Sequence, residues 1–156
     1  MAIDRAREHL AKYGLDSKII EFDVSSATVQ LAAEAIGCEP CRIAKSLSFL
    51  VGETPILVVA AGDAKVDNPK YKAQFSTKAK MMTPEQAIEL IGHAVGGVCP
   101  FGVNEDVQVY LDESLRRFDC VYPACGSSNS AIPLSLEELE KSSNYIAWVD
   151  VCKVSE

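Results

Sequence analysis

A lysine stands in the middle of an apolar stretch of this sequence. Residues 43–51 (IAKSLSFLV) alternate as a strand requires, which places Ile43, Leu47 and Phe49 on one face with Lys45. Burying an ammonium group costs free energy unless the group is paired or used. The pattern therefore has two interpretations: a cation that stabilises negative charge in a site, or a side chain whose stem packs while its head reaches water.

Two glycine loops offer main-chain groups to the same chemistry. Gly96-Gly97 begins the first, which Pro100 stiffens, and Gly126-Ser127 begins the second. Because glycine permits close approach and φ > 0, amides and carbonyls there could bind an ester or orient a water. A tight crossover between two elements accounts for the glycines equally well.

Other catalytic and metal-binding motifs are weak or missing in the sequence. No hydrolase triad, P-loop or dinucleotide-binding motif is present, and His93, after a helix-ending glycine, is the histidine with a candidate role. Cys38 and Cys41 form a C-x-x-C pair, but no second pair at zinc spacing follows. Redox pairs usually lie at the start of a helix that follows a strand, whereas this pair precedes a strand. We therefore expect no metal site, and zinc or redox chemistry is the alternative.

Composition and charge narrow the function classes. The 156 residues predict one domain of ordinary globular composition, and no apolar run suits a membrane span. With no secretory signal, reduced thiols and a cytoplasmic location are expected. The net charge of −7 argues against tight binding of DNA or RNA through many phosphates. A local positive strip that includes Arg42, Lys65, Lys70 and Lys72 is predicted on the acidic protein, with a solvated lysine-rich face as the alternative.

Capping and turn residues divide the chain into short elements. Helices are predicted at residues 3–13, 28–36, 68–75, 83–92 and from 135 onward. Strands are predicted at residues 18–22, 43–51, 56–61, 80–82, 107–111, 120–124, 132–134 and 145–151, with a hairpin joining the second and third. Because the order lacks a regular βαβ rhythm, we predict an α+β fold with a mixed sheet.

Five segments in order resemble one known family, the YbaK/prolyl-tRNA-synthetase-associated editing domains, which hydrolyse mischarged aminoacyl-tRNA. The segments are Thr28 with Ala32-Ala33, residues 43–47, residues 62–67 (GDAKVD), residues 96–102 (GGVCPFG), and residues 112–115 (DESL) with Gly126. Three positions depart from the common pattern. Ser46 follows the lysine, His93 stands where many members have an aromatic residue, and the Gly126 loop lacks a basic residue. These departures leave the amino acid and the tRNA open.

The resemblance implies a freestanding aminoacyl-tRNA deacylase over residues 1–156, with a curved, partly barrel-like sheet flanked by short helices. It implies that Lys45, Gly96 and Gly97 are catalytic, that no metal or cofactor takes part, and that the substrate assists its own hydrolysis. The implied substrate-binding residues are Thr28, Ser46, His93, Pro100, Phe101, Gly126 and Ser127. Weak contacts to the tRNA are implied for Arg42, Lys65, Lys70 and Lys72. Substrates of the Cys-tRNA or Ala-tRNA type are expected, with an aminoacyl-tRNA synthetase as a second partner. The alternative is a non-catalytic module that binds a small ligand or a synthetase through the same cleft.

Overall fold

A mixed six-stranded sheet forms the centre of the computed structural model, which describes residues 2–154. Its strands are β2 (Ile43–Val51), β3 (Thr54–Ala61), β5 (Gln108–Asp112), β6 (Cys120–Pro123), β8 (Leu134–Ser135) and β9 (Ala147–Val149). Their order across the sheet is β8-β6-β2-β3-β5-β9. Two antiparallel pairs lie outside it: β1 (Ile20–Glu21) with β7 (Ser130–Ala131), and β4 (Ala64–Val66) with β10 (Cys152–Val154). The predicted α+β class with a curved, partly barrel-like sheet is confirmed.

Short helices surround the sheet, and local capping sets their limits. The helices are α1 (Ala2–Ala11), α2 (Val29–Ile36), α3 (Asn68–Phe75), α4 (Pro84–Gln86) and α5 (Leu136–Ser142). Helix α4 continues directly into a π-helical turn, Ala87–Ile91. Helix α2 shows the capping chemistry, because the Thr28 side chain accepts a hydrogen bond from Leu31 N and Gly37 closes the helix with φ 84°. No helix within residues 2–154 is long and apolar enough to cross a membrane.

The β2–β3 hairpin is the core of the sheet. The two strands pair along their length, from Ala44↔Ala61 to Val51↔Thr54, around a turn at Gly52-Glu53. Strand β3 is buried almost throughout, because β5 pairs with it in parallel on its other side. Burial on both faces explains why β3 reads as a continuous apolar run. Strand β2 has more exposed positions, and the candidate site lies along it.

Some predicted strand limits are wrong for non-local reasons. The strand predicted at residues 145–151 is limited to β9, since Val151 N donates to Asp112 Oδ1 (2.9 Å), and β10 begins only beyond it at Cys152. Of the strand predicted at residues 132–134, only Leu134 lies in a strand, β8, because β7 ends before it at Ala131. Residues 80–82 form only a bridge through Met81. The first strand is limited to β1, and α1 ends two residues before the predicted Tyr13.

Candidate active site

A cavity of about 260 Å³ lies beside β2. Its walls come from β2 residues 43–48, from the start of α2, from residues 81–82 and from the first glycine loop. Apart from β2, most of the residues in the wall are small or apolar, which leaves space for a ligand of small volume. Four of the predicted site residues line this cavity: Thr28, Lys45, Ser46 and Gly96.

Strand β2 lacks a neighbour on one side where it borders the cavity. Strand β6 pairs with β2 only as far as Ala44. At the far end of the cavity wall, Met82 N donates to Ser48 O (3.1 Å), so that side of the strand is occupied again. Between these points, residues 45–47 pair with β3 alone among the described residues. The cavity therefore surrounds an unpaired segment of strand edge.

Lys45 is half-buried in the cavity wall, as its place on an apolar strand face predicts. Its Nζ donates a hydrogen bond to the carbonyl oxygen of Ala64. That carbonyl is its hydrogen-bond partner within residues 2–154, so the remaining N–H groups of the ammonium are available to a ligand. Burial lowers the pKa of Lys45, and the charge of Asp63 offsets part of this shift. The arrangement supplies a partly desolvated cation beside a small cavity.

The two glycine loops contact each other through their main chains. Gly126 N donates to Gly97 O (3.0 Å), and a Cβ on Gly97 would lie 2.6 Å from both Gly126 C and Ser127 N. Gly96 lines the cavity with φ 94°, whereas Gly97 is buried behind it and does not have positive φ. Glycine is thus required at Gly97 by loop packing, and not by the conformation that the sequence suggested.

The second loop reaches the cavity indirectly. Gly126 and Ser127 are not in the cavity wall, but Ser127 Oγ donates to Ser130 Oγ (2.6 Å), and Ser130 is in that wall. Ser130 is buried, so this hydrogen bond fixes the orientation of a polar side chain beside the ligand space. The loop therefore positions a wall residue, which the sequence did not single out.

His93, Pro100 and Phe101 form the interior of the first glycine loop. His93 is 1% exposed, and its Nε2 lies 2.7 Å from Phe101 O. Burial lowers the pKa of His93, so the ring is neutral near pH 7 and donates Nε2–H to that carbonyl. Pro100 and Phe101 are also buried. None of the three lines the cavity. Their side chains pack inside the loop and shape it.

The four predicted tRNA-contact residues differ in availability. Arg42 lies over the Phe118 ring, and Lys70 Nζ is bonded to Asp150 Oδ1 (3.0 Å) and to a main-chain carbonyl. Lys65 and Lys72 are exposed and form no ion pair within residues 2–154. Of the four residues, Lys65 and Lys72 are therefore the more available to contact a phosphate.

Several wall residues escaped the sequence analysis. Ser26 is buried, and its Oγ and Ser46 Oγ have no hydrogen-bond partner within the described residues. Met81 and Val95 lie at the cavity with exposed fractions of 61% and 65%. Val95 could have been predicted as a wall residue, because it is an apolar residue next to Gly96-Gly97. No feature of the sequence near Ser26 indicates that it lies at a cavity.

Cys38 and Cys41 lie outside the cavity wall. Burial raises the pKa of each thiol, so both are protonated at neutral pH. Within residues 2–154, no group of three or more histidine, cysteine, aspartate and glutamate side chains is placed to hold a metal ion.

We expect the Cys38→Ser/Cys41→Ser double variant to keep the activity and melting temperature of the parent, because the thiols touch neither the cavity nor a metal-ligand cluster. Deacylation rates and zinc content measured on both proteins check this. Loss of activity together with one equivalent of zinc in the parent would contradict it.

An α+β domain with a partly desolvated lysine on a central strand, beside a small cavity faced by a glycine loop, is suited to binding and cleaving a small ester. The chain belongs to the aminoacyl-tRNA editing domain family, whose model matches residues 24–142. The resemblance found in the sequence is thereby confirmed, and family membership points to editing of tRNA by deacylation.

Individual relatives agree with this assignment. The uncharacterized protein YwhH of Bacillus subtilis (strain 168) is 51% identical over 154 residues, covering 98% of both chains. The putative Cys-tRNA(Pro)/Cys-tRNA(Cys) deacylase EbsC of Enterococcus faecalis is 26% identical, covering 72% of this chain and 70% of EbsC. The crystal structure of a putative trans-editing enzyme for prolyl tRNA synthetase has a TM-score of 0.87 and 29% identity over 97% of both chains. The chain also matches proline–tRNA ligases, such as that of Lactiplantibacillus plantarum, of whose length it spans 22%.

Proposed function

We propose that this protein is a deacylase that hydrolyses misacylated tRNA in trans, in the cytoplasm. The observation that carries the proposal is Lys45, which lines a cavity of about 260 Å³ and whose half-buried ammonium has one carbonyl, Ala64 O, as its hydrogen-bond partner within residues 2–154. A cation held in a partly desolvated site stabilises negative charge better than one in water. The transition state of ester hydrolysis develops such charge on the carbonyl oxygen.

The reaction breaks the bond between the acyl carbon and a ribose oxygen. Water supplies the oxygen that joins the acyl carbon, one of its protons passes to the ribose oxygen and the other to solvent, and the amino acid leaves as its carboxylate. Lys45 binds the negative charge as it develops, and the main chain around Gly96 orients the ester and the water. We propose that the substrate's own 2′-hydroxyl assists, because no histidine, aspartate or glutamate among the described residues lines the cavity.

The cavity favours a small amino acid. Alanine residues at positions 32, 44, 87, 124 and 131 contribute to its wall, and its volume suits a short side chain together with part of a ribose. EbsC, which is similar to this chain, is named for Cys-tRNA. We therefore propose substrates of the Cys-tRNA or Ala-tRNA type. A synthetase that releases the misacylated tRNA is the proposed second partner.

Single-turnover deacylation of a panel of misacylated tRNAs tests the proposal. We expect cleavage of one or a few esters of small amino acids, at rates that EDTA leaves unchanged because Lys45 and main-chain groups carry the chemistry. The Lys45→Ala variant, purified in parallel, controls for contaminating hydrolases. A protein that binds aminoacyl-tRNA but accelerates no hydrolysis above this control would instead be a non-catalytic binding module.

Binding of tRNA is expected to be weak, and it should depend on Lys65 and Lys72. The net charge of −7 opposes a polyanion, so a few exposed lysines must provide the phosphate contacts. The Lys65→Glu/Lys72→Glu variant should raise KM by about tenfold with little change in kcat, since these residues lie outside the cavity wall.

The matched control is Lys12→Glu/Lys141→Glu, which changes the net charge equally at exposed positions on α5 and just beyond α1. Equal effects of the two double variants would show that total charge, and not a local contact, governs binding.

A further inference from the structure

We infer that the aminoacyl group of the substrate binds as a single-residue strand on the unpaired edge of β2, with Ser46 as its hydrogen-bonding partner. The inference rests on the proposed function and specifies how that substrate is held. It follows from strand parity, from unpartnered polar groups and from the length of the open edge.

Strand parity directs the main-chain N–H and C=O of Ser46 into the cavity. In an antiparallel pair, alternate residues direct their amide groups toward the partner strand and away from it. Ser48 O and Leu50 N bond to Met82 and Lys80, on the side away from β3. Ser46 has the same parity, and at its position no strand of the described chain lies on that side.

Two buried hydroxyl groups show that the same place is polar. The Oγ atoms of Ser46 and Ser26 are buried without a hydrogen-bond partner among residues 2–154, and both residues line the cavity. Ser26 is 6% exposed. Such unpaired groups destabilise the folded protein, and a polar ligand that bonds them removes that cost. The edge at Ser46 is thus an incomplete polar site rather than an exposed stretch of strand.

An aminoacyl ester has the complementary groups. Its α-ammonium group is a donor for Ser46 O, and its ester carbonyl is an acceptor for Ser46 N–H, the exchange made by two residues of an antiparallel hydrogen-bonded pair. The open edge at residues 45–47 spans about 10 Å, which admits one residue and not a peptide. Bound in this way, the ester carbonyl has a main-chain donor on the oxygen where charge develops. Ser46 N–H is then a catalytic group beside Lys45.

Hydrogen exchange measured by NMR tests the main-chain contact directly. The probes are 3′-alanylamino-3′-deoxyadenosine and its cysteinyl counterpart, amides that keep the ammonium and the carbonyl but resist hydrolysis. A saturating probe should slow exchange of the Ser46 amide by roughly tenfold, the protection expected of one hydrogen bond. The Leu50 amide, which is already bonded to Lys80 O, is the internal control and should not change. The inference is overturned if a probe binds and exchange of the Ser46 N–H does not change. It is also overturned if neither probe binds.

A second test separates this inference from the proposed function. Acetylation of the α-amino group removes its positive charge and extends the ligand beyond one residue, so the N-acetylated ester should lose roughly a hundredfold or more in kcat/KM. If the free and acetylated esters are cleaved equally, the docking inference fails and the deacylase assignment stands. If neither ester is cleaved, both fail together.

Discussion

Lys45→Ala is expected to lower kcat/KM for deacylation by roughly 30- to 900-fold, which corresponds to about 2–4 kcal/mol of transition-state stabilisation. This is the scale for the loss of one electrostatic contact in a closed site. The structure gives Lys45 Nζ a single carbonyl partner, Ala64 O, and leaves it beside the cavity. Stability should change little, because the lost hydrogen bond is offset by relief from holding a charge in a half-buried position.

Two further variants of Lys45 separate charge from packing. Lys45→Met keeps the apolar stem and removes the charge, so it should be as inactive as Lys45→Ala. Lys45→Arg keeps the charge but presents a larger, planar group in a small cavity, and it should not restore activity. Melting temperatures measured with single-turnover rates decide the outcome. An active but destabilised Lys45→Ala protein would mean that Lys45 contributes its stem to packing and nothing to the reaction.

Gly97→Ala is expected to lower the melting temperature by roughly 5–10 °C and to reduce turnover sharply. The added methyl group would lie 2.6 Å from the main chain of Gly126 and Ser127, and main chain cannot rotate away as a side chain can. The loops must separate, which removes the hydrogen bond from Gly126 N to Gly97 O and displaces Gly96 at the cavity. The effect on turnover is thus transmitted through the loop contact.

Gly52→Ala is the matched control for this variant. It adds the same methyl group at φ 63° in the β2–β3 turn, where no atom lies within 4 Å, so only local strain is introduced. We expect a smaller fall in melting temperature, roughly 2–4 °C, and normal turnover. Thermal unfolding and single-turnover assays on both variants check this. If Gly97→Ala is no worse than Gly52→Ala, the two loops do not depend on their close contact.

Elements that local chemistry defines were predictable from the sequence. Thr28 and Gly37 limit α2 at the predicted residues because a cap needs only its own turn of chain. The alternation through residues 43–51 located β2 and the unusual position of Lys45 in the same way. The helix starts predicted at Thr83 and Ser135 are likewise present, each with a capping box.

Features created by distant segments could not be predicted in this way. The pairing of β4 with β10 joins residues far apart in sequence, and β10 begins at Cys152, beyond the strand predicted at residues 145–151. The open edge beside Ser46 exists because β6 ends early against β2, which no property of residues 45–47 reveals. Ser26 faces the cavity only because its main chain is bonded to Ser128 O. The sequence thus located the lysine and not the space beside it.

The recessed edge of β2 also bears on aggregation. Free strand edges are templates on which a second chain can pair, and native proteins usually cover or charge them. Here the pairings that resume at Ala44 and Ser48 leave too short an opening for an incoming strand, which commonly has about five or six residues. Lys45 adds a charge at one end of that opening. The native protein can therefore keep unsatisfied main-chain groups ready for a ligand without exposing a surface on which fibrils could grow.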